Sequence, residues 1–343
     1  MNILLLGGGV FLGRALLDAA LARGHAVSVF NRGKARRDWP AGVQVLAGDR
    51  RGDLAALGRG RWDAVIDTCG YCPADVEPTA RALAGCARYL FVSSISAYAS
   101  LAAPGLDESA PLAPAEGLAA DAAVTAQNYG ALKAESERVL SRLLGARLIV
   151  VRPGLIVGGG DPSGRFSYWP WRAAAGGSML VPDAPAACLQ FIDVRDLASW
   201  MIVLLEDGAT GAFNATGPAG GTPLGWTGLI AACRAGARAI GAAPAEPVAV
   251  AEPVLTAHDV APWTGLPLWL AASDAETAGL MAVDISRAVA HGLRTRPLDD
   301  TVRAVLAEPP PAAGDPRLAG RLAPAREAEL IALARSAGGA LRR

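Results

Sequence analysis

Over the first 155 residues, short apolar runs alternate with longer amphipathic segments, as in βαβ units around a parallel sheet. The apolar runs predict strands at Ile3–Leu6, Ala26–Phe30, Val43–Leu46, Ala64–Asp67, Tyr89–Ser93 and Leu148–Arg152. Helical spacing of apolar positions predicts helices over Leu12–Arg23, Asp75–Ala84 and Val124–Leu144. Leu148-Ile-Val-Val151 is a continuous apolar run, the signature of a strand buried on both faces. After Pro153 the regularity loosens. Gly158-Gly-Gly-Asp-Pro162 reads as a loop, and an aromatic-rich segment, Phe166-Ser-Tyr-Trp-Pro-Trp171, follows it. A strand-then-helix signal returns at Leu189–Val194 and Asp196–Glu206. From about Gly217 the chain reads as irregular, with several Pro and Trp, which suits a lobe covering a substrate. Glu308-Pro-Pro-Pro311 reads as a linker, and Pro324–Arg335 as a closing helix with Pro in its first turn.

Composition narrows the classes. Thirty-two basic residues balance 32 acidic ones in 343, so a sequence-independent nucleic-acid binder, which needs a cationic surplus, is not expected. Five cysteines, an odd number in a long chain, do not make a disulfide scaffold. The chain opens directly into Asn2-Ile-Leu-Leu-Leu6, with no basic leader and no run long enough to span a bilayer. A cytoplasmic protein without membrane association is the expectation, with a small molecule as its partner.

The first strand leads into Gly7-Gly8-Gly9-Val10-Phe11-Leu12-Gly13 and then into a helix. Glycines let backbone approach a pyrophosphate, and the helix N-terminus offers free N–H groups and a favourable dipole. Gly7, Gly9, Val10, Phe11, Leu12 and Gly13 are therefore candidate cofactor residues. Val10 stands where a middle glycine is common, which predicts an altered cradle. The fold that follows is α/β, a Rossmann-type doubly wound parallel sheet with a smaller, irregular C-terminal lobe. Its expected divisions are a dinucleotide-binding domain over 1–155, a substrate lobe over 156–307 with 189–216 returning to the Rossmann body, and a linker and helix over 308–343. The second strand ends in Phe30-Asn31-Arg32. An acidic residue there would hold a ribose 2′-hydroxyl, whereas Asn31 and Arg32 suit a 2′-phosphate, with Arg36 and Arg37 adding charge. NADP(H) is thus expected over NAD(H); the alternative is a solvated turn with chance arginines.

Tyr129-Gly-Ala-Leu-Lys133 places a phenol and an amine on one helix face, one turn apart. A neighbouring ammonium favours phenolate, which predicts a lowered Tyr129 pKa and a proton-transfer role. Phe91-Val-Ser-Ser-Ile-Ser-Ala-Tyr98 puts hydroxyls at the carboxyl end of a parallel strand, where open α/β sheets bind ligands. Ser94 is the candidate for holding the substrate oxygen.

From Met1 to about Gly217 these motifs resemble, in order, the extended and atypical short-chain dehydrogenase/reductases, the NAD-dependent epimerase/dehydratase family. The matching features are the glycine cradle, Asp49 after the third strand, Ser94 four residues before Tyr98, Tyr129 with Lys133, and Arg152-Pro-Gly154. The resemblance implies that Asp49 contacts the adenine, with Arg50 and Thr68 beside the cofactor. It implies that Lys133 also holds the nicotinamide ribose, and that Pro153, Leu155 and Ile156 line the nicotinamide. It also implies a homodimer through the helix carrying Tyr129. The glycine segment is most similar to a side branch that includes chloroplast stem-loop-binding proteins.

Departures from the family pattern narrow the chemistry. Dehydratases of the family carry an Asp-Glu pair after the catalytic hydroxyl, whereas Ile95-Ser96 follow Ser94 here. Nucleotide-sugar epimerases usually carry an Arg where this chain has Leu189, and losing such a charge-assisted pair removes about 1.5–3 kcal/mol of binding. Arg165, Arg172 and Arg195 are possible substitutes. Ser96, Phe166, Trp169 and Trp171 are candidate substrate contacts, with core packing as the alternative for the aromatics. The expected activity is reduction of a small-molecule ketone, with hydride from NADPH and a proton from Tyr129. A sugar epimerase of the same fold and a non-catalytic nucleotide- or RNA-binding protein are the competing readings. Cys69-Gly-Tyr-Cys72 has redox spacing but no second Cys or His pair for zinc, so no metal is expected. Asp193 and Asp196 read as a helix cap and a packing anchor.

Overall fold

The computed structural model describes residues 1–33, 38–220 and 223–340. The first half runs β1 (Asn2–Leu6), α1 (Phe11–Ala22), β2 (Ala26–Asn31), β3 (Gln44–Ala47), β4 (Ala64–Asp67), α2 (Pro73–Ala82), β5 (Arg88–Val92), α3 (Tyr129–Leu144) and β6 (Leu148–Pro153). Then come β7 (Leu155–Val157), α4 (Tyr168–Ala174), β8 (Ser178–Pro182), β9 (Phe191–Asp193), α5 (Val194–Asp207) and β10 (Gly211–Ala215). The chain ends with α6 (Trp226–Ala239), β11 (Glu246–Val250), α7 (Glu252–Ala257), α8 (Ser286–Ala290), α9 (Leu298–Leu306) and α10 (Pro324–Ala340).

Seven strands form one parallel sheet in the order β10-β6-β5-β4-β1-β2-β3. The order reverses between β1 and β4, where Leu6 pairs with Asp67, so the crevice beyond their carboxyl ends is the topological switch point. The apolar runs read as they do because alternate side chains enter two different cores. Ile3, Leu5, Val27, Val29, Ile149 and Val151 pack under α1 and α5. Leu4, Leu6, Phe30, Val65, Phe91 and Val150 pack under α2 and α3. A strand covered on both faces has no polar face to show.

Two expectations are corrected. Helix α3 begins at Tyr129, not Val124. Asn128 Oδ1 accepts the Thr125 N–H at 2.8 Å, and Asn128 Nδ2 donates to the Ala123 carbonyl at 2.9 Å. Such side-chain bonds offer the backbone an alternative to the helix, which therefore starts one residue later. The segment beyond Gly217 is also more regular than its sequence reads. Helix α6 is Ala- and Gly-rich, so its apolar period is diluted, yet Leu229, Ile230 and Cys233 enter a second-lobe core with Trp169, Trp269 and Val302. Strand β9 pairs with β7 in a small sheet of its own, as β11 does with β8. Among the described residues no helix is long and apolar enough to cross a membrane.

Candidate functional site

A cleft of about 740 Å³ opens at the switch point. Its floor is the glycine segment, where Gly7 and Gly8 have φ of +112° and +81°. A Cβ on Gly13 would lie 2.6 Å from the Gly8 nitrogen, so only glycine lets α1 approach the turn this closely. Val10 introduces no strain: it is extended (φ −141°, ψ 154°) at the N-cap, and its side chain, 66% exposed, leaves the floor to backbone. The replaced glycine thus changes the rim of the cradle rather than its path. Phe11 carries the local strain instead, at φ +38°.

Gly7, Gly9, Val10, Phe11, Leu12, Gly13, Asn31, Arg32, Asp49, Arg50, Thr68, Pro153 and Ile156 all border the cleft. Asn31 accepts the Gly33 N–H at 2.6 Å, and its Nδ2 is buried with no partner among the described residues. Arg32 is exposed on the wall, while Arg36 and Arg37 lie outside the described residues. Arg50 borders the cleft with its guanidinium engaged by other protein groups. Its Nη1 and Nη2 hold the buried Asp67 carboxylate at 2.9 and 2.7 Å, and its Nε donates to the Asp75 carbonyl. Leu155 faces the other way and packs on the second-lobe core.

Ser94, Tyr129 and Lys133 meet at the opposite end of the same cleft. Ser94 caps the short turn after β5, its Oγ accepting the Ser96 N–H at 3.0 Å. Helix α3 sits directly on that turn, because Gly130 leaves no Cβ to strike the Ser96 carbonyl. This contact brings the first helical residue, Tyr129, into hydrogen-bonding reach of Ser94. Lys133, one turn on and 2% exposed, donates to the carbonyls of Gly70 (2.6 Å) and Val92 (2.8 Å).

The electrostatics correct one expectation. The Tyr129 phenol is not lowered; burial pushes it up to about 12, against the opposing hydrogen bond from Ser94. The Lys133 ammonium is turned to the two carbonyls rather than to the phenol. Its own pKa is brought down to about 8, chiefly by burial.

The candidate substrate residues do not line the cleft. Phe166 and Trp169 are fully buried in the second-lobe core, where the Trp169 Nε1–H donates to the Pro267 carbonyl at 3.1 Å. Trp171 packs against the same core beneath the Arg317 guanidinium. Ser96 contributes its carbonyl as the seat for Gly130. Core packing accounts for these aromatics, which is what a large apolar ring away from a cavity does. Cys69 and Gly154, both within motifs noted in the sequence, also line the cleft, and so do Tyr71 and Pro162, which the sequence does not single out as site residues. For Tyr71 the signal was its place just past the fourth strand, at the switch point.

Arg172 and Arg195 are paired with Glu327 and Asp193 at 2.8 and 2.7 Å, Arg165 lies over the Trp263 ring, and Leu189 is buried. Asp193 caps α5 by accepting the Arg195 N–H, and Asp196 holds Arg296. The cysteines are free, and burial pushes the Cys69 thiol up to about 11. Among the described residues no cluster of metal-binding side chains occurs.

A model of the NAD dependent epimerase/dehydratase family matches residues 3–215, more than half of the chain. The chain belongs to that family. Within it, the chain is 31% identical over 242 residues to a 3-diazoavenalumate denitrifying reductase from a Streptomyces species, covering 63% of this chain and 76% of that protein. It is 28% identical over 237 residues to the chloroplast stem-loop binding protein of 41 kDa b from Arabidopsis thaliana, covering 63% of this chain and 58% of that one. Solved structures with the same fold include the Bordetella bronchiseptica enzyme WbmG in complex with NAD and UDP (TM-score 0.62, 21% identity, 89% of this chain and 93% of that). A human epimerase family protein crystallised with NADPH is another (TM-score 0.56, 20% identity, 90% and 100%). This epimerase/dehydratase-family chain is accordingly an enzyme of the NAD(P)-dependent oxidoreductase/epimerase class.

Proposed function

We propose that the protein is an NADP(H)-dependent reductase that converts a ketone or related carbonyl group of a small molecule to the alcohol. The observation carrying this reading is the convergence of Ser94, Tyr129 and Lys133 on the cleft whose other end is the glycine cradle. The cleft fits a dinucleotide: backbone that a Cβ would obstruct forms its floor, and Asn31 Nδ2, without a partner among the described residues, stands at the ribose end. The segment from Gly7 to Gly13 would hold the pyrophosphate, Asp49 the adenine, Asn31 and Arg32 a 2′-phosphate, and Pro153 and Ile156 the nicotinamide. When bound, NADPH supplies the hydride. The Ser94 hydroxyl and the Tyr129 phenol hold the substrate oxygen, and Tyr129 gives it a proton as negative charge develops there. A pKa near 12 keeps that phenol protonated through neutral pH, the state a proton donor needs at the outset of a reduction.

The likeness to a Streptomyces reductase supports reduction. Buried Leu189, with Arg172 and Arg195 held by carboxylates, argues against a nucleotide-sugar diphosphate. The test is a panel of carbonyl compounds assayed by NADPH absorbance, with NADH beside it. Steady NADPH consumption with at least one compound is expected. A cofactor that copurifies and is never consumed would make the protein an epimerase instead. Arg32→Ala is expected to raise the KM for NADPH about tenfold to a hundredfold, as loss of one charge-assisted pair does. The KM for NADH should hardly move; equal weakening of both would reject the 2′-phosphate role.

A further inference from the structure

Lys133 is held by more than its two carbonyl acceptors. Its Nζ lies 4.7 Å from the centroid of the Phe91 ring, 5.0 Å from that of Tyr71 and 5.9 Å from that of Tyr129. Rings facing a cation attract it through their quadrupole, most strongly where water is excluded. The three rings are not equivalent. Phe91 is wholly buried and Tyr129 partly so, whereas Tyr71 is 45% exposed and borders the cleft. Tyr71 is therefore the wall between the ammonium and solvent. It is fixed in place: its N–H donates to Asp75 Oδ2 at 2.9 Å at the start of α2, and the residue before it, Gly70, accepts from Lys133.

We propose that Tyr71 is a positioning residue for Lys133, its ring closing the solvent side of a cage of rings and carbonyls that holds the ammonium dry and facing the cofactor cleft. The inference deepens the reductase reading and rests on it. The charged and titratable groups around the amine are Asp67 from β4, Arg50 from the segment after β3, Cys69 from the loop after β4, Glu137 from α3 itself, and the phenols of Tyr71 and Tyr129. Asp67, Cys69 and Glu137 favour the ammonium and Arg50 opposes it, yet burial outweighs them and sets a value of about 8. Opening the wall forfeits the ring's attraction but admits water and relieves the burial, the larger of the two effects, so the amine titrates higher.

The probe is NADPH, its dissociation constant measured by fluorescence on the full chain from neutral to alkaline pH, so no substrate is needed. Wild-type binding is expected to weaken as pH rises through about 8, when Lys133 loses its proton. Lys133→Met should lack that inflection, and Tyr71→Phe, which keeps the ring, should retain it. Tyr71→Leu and Tyr71→Ala should move it upward by about one pH unit. Both variants replace an exposed side chain, and circular dichroism is used to check that they fold. An inflection that stays put in the ringless variants, or that persists in Lys133→Met, rejects the cage and leaves the reductase reading standing. Failure of the wild type to bind NADPH at any pH removes both.

Discussion

Tyr129→Phe is expected to lower turnover of a carbonyl substrate by about a thousandfold while NADPH binds as tightly as before. The substitution removes one oxygen and keeps the ring, so the contacts that hold α3 against the Ser94 turn survive. Two functions go with that oxygen. One is the proton that the product alkoxide needs. The other is one of the two hydroxyl groups that face the substrate oxygen, the Ser94 hydroxyl being left alone. Both act where charge develops, so kcat and kcat/KM should fall together. The pH profile sharpens the test. With its phenol at about 12, Tyr129 stays protonated far above neutrality, so a wild-type loss of activity near pH 8 belongs to Lys133. Turnover of Tyr129→Phe within tenfold of wild type, with NADPH binding unchanged, would mean that another group delivers the proton.

Much of this arrangement is legible in the amino-acid sequence because the sheet is buried on both sides. Such strands are written as unbroken Val, Ile and Leu runs, and the polar residues that interrupt them mark the carboxyl ends where ligands bind. The glycine floor and Ser94 stand at those interruptions, and Tyr129 and Lys133 open the helix that packs on the Ser94 turn. The environment of those groups was less legible. The Tyr129–Lys133 spacing puts an ammonium one turn from a phenol, but whether it faces that phenol depends on acceptors from elsewhere in the chain. Gly70 and Val92 supply them, 63 and 41 residues away. Arg50 shows the same dependence on distant partners, since the carboxylate that engages its guanidinium, Asp67, is buried at the end of β4. The Phe166–Trp171 segment misled in another way. Aromatic density marks both substrate walls and cores, and only the packing of Trp169 against Trp226, ring centroids 4.8 Å apart, decides between them.

Beneath the site, Glu137→Ala is expected to destabilise the fold by about 3–5 kcal/mol, measured by urea unfolding. Glu137 and Arg152 are 5% and 6% exposed, and they form a two-point pair at 2.7 and 3.1 Å between α3 and β6. Arg152 also donates to the Tyr98 hydroxyl at 2.9 Å, which donates in turn to Asn214 on β10. Glu137 accepts from Ser93 as well, next to Ser94. Removing the carboxylate leaves the guanidinium buried with its principal partner gone, and desolvation rather than the lost attraction sets the penalty. The double variant Glu137→Leu/Arg152→Met distinguishes the two effects. If an uncompensated charge is what destabilises, deleting both charges should be milder than Glu137→Ala alone. If the pair instead contributes mainly by its own attraction, the double variant will be at least as unstable as the single one. Either way the damage reaches the site by one route: α3 carries Tyr129 and Lys133, and this pair holds that helix to β6 with its Pro153 wall and, through Ser93, to the Ser94 turn.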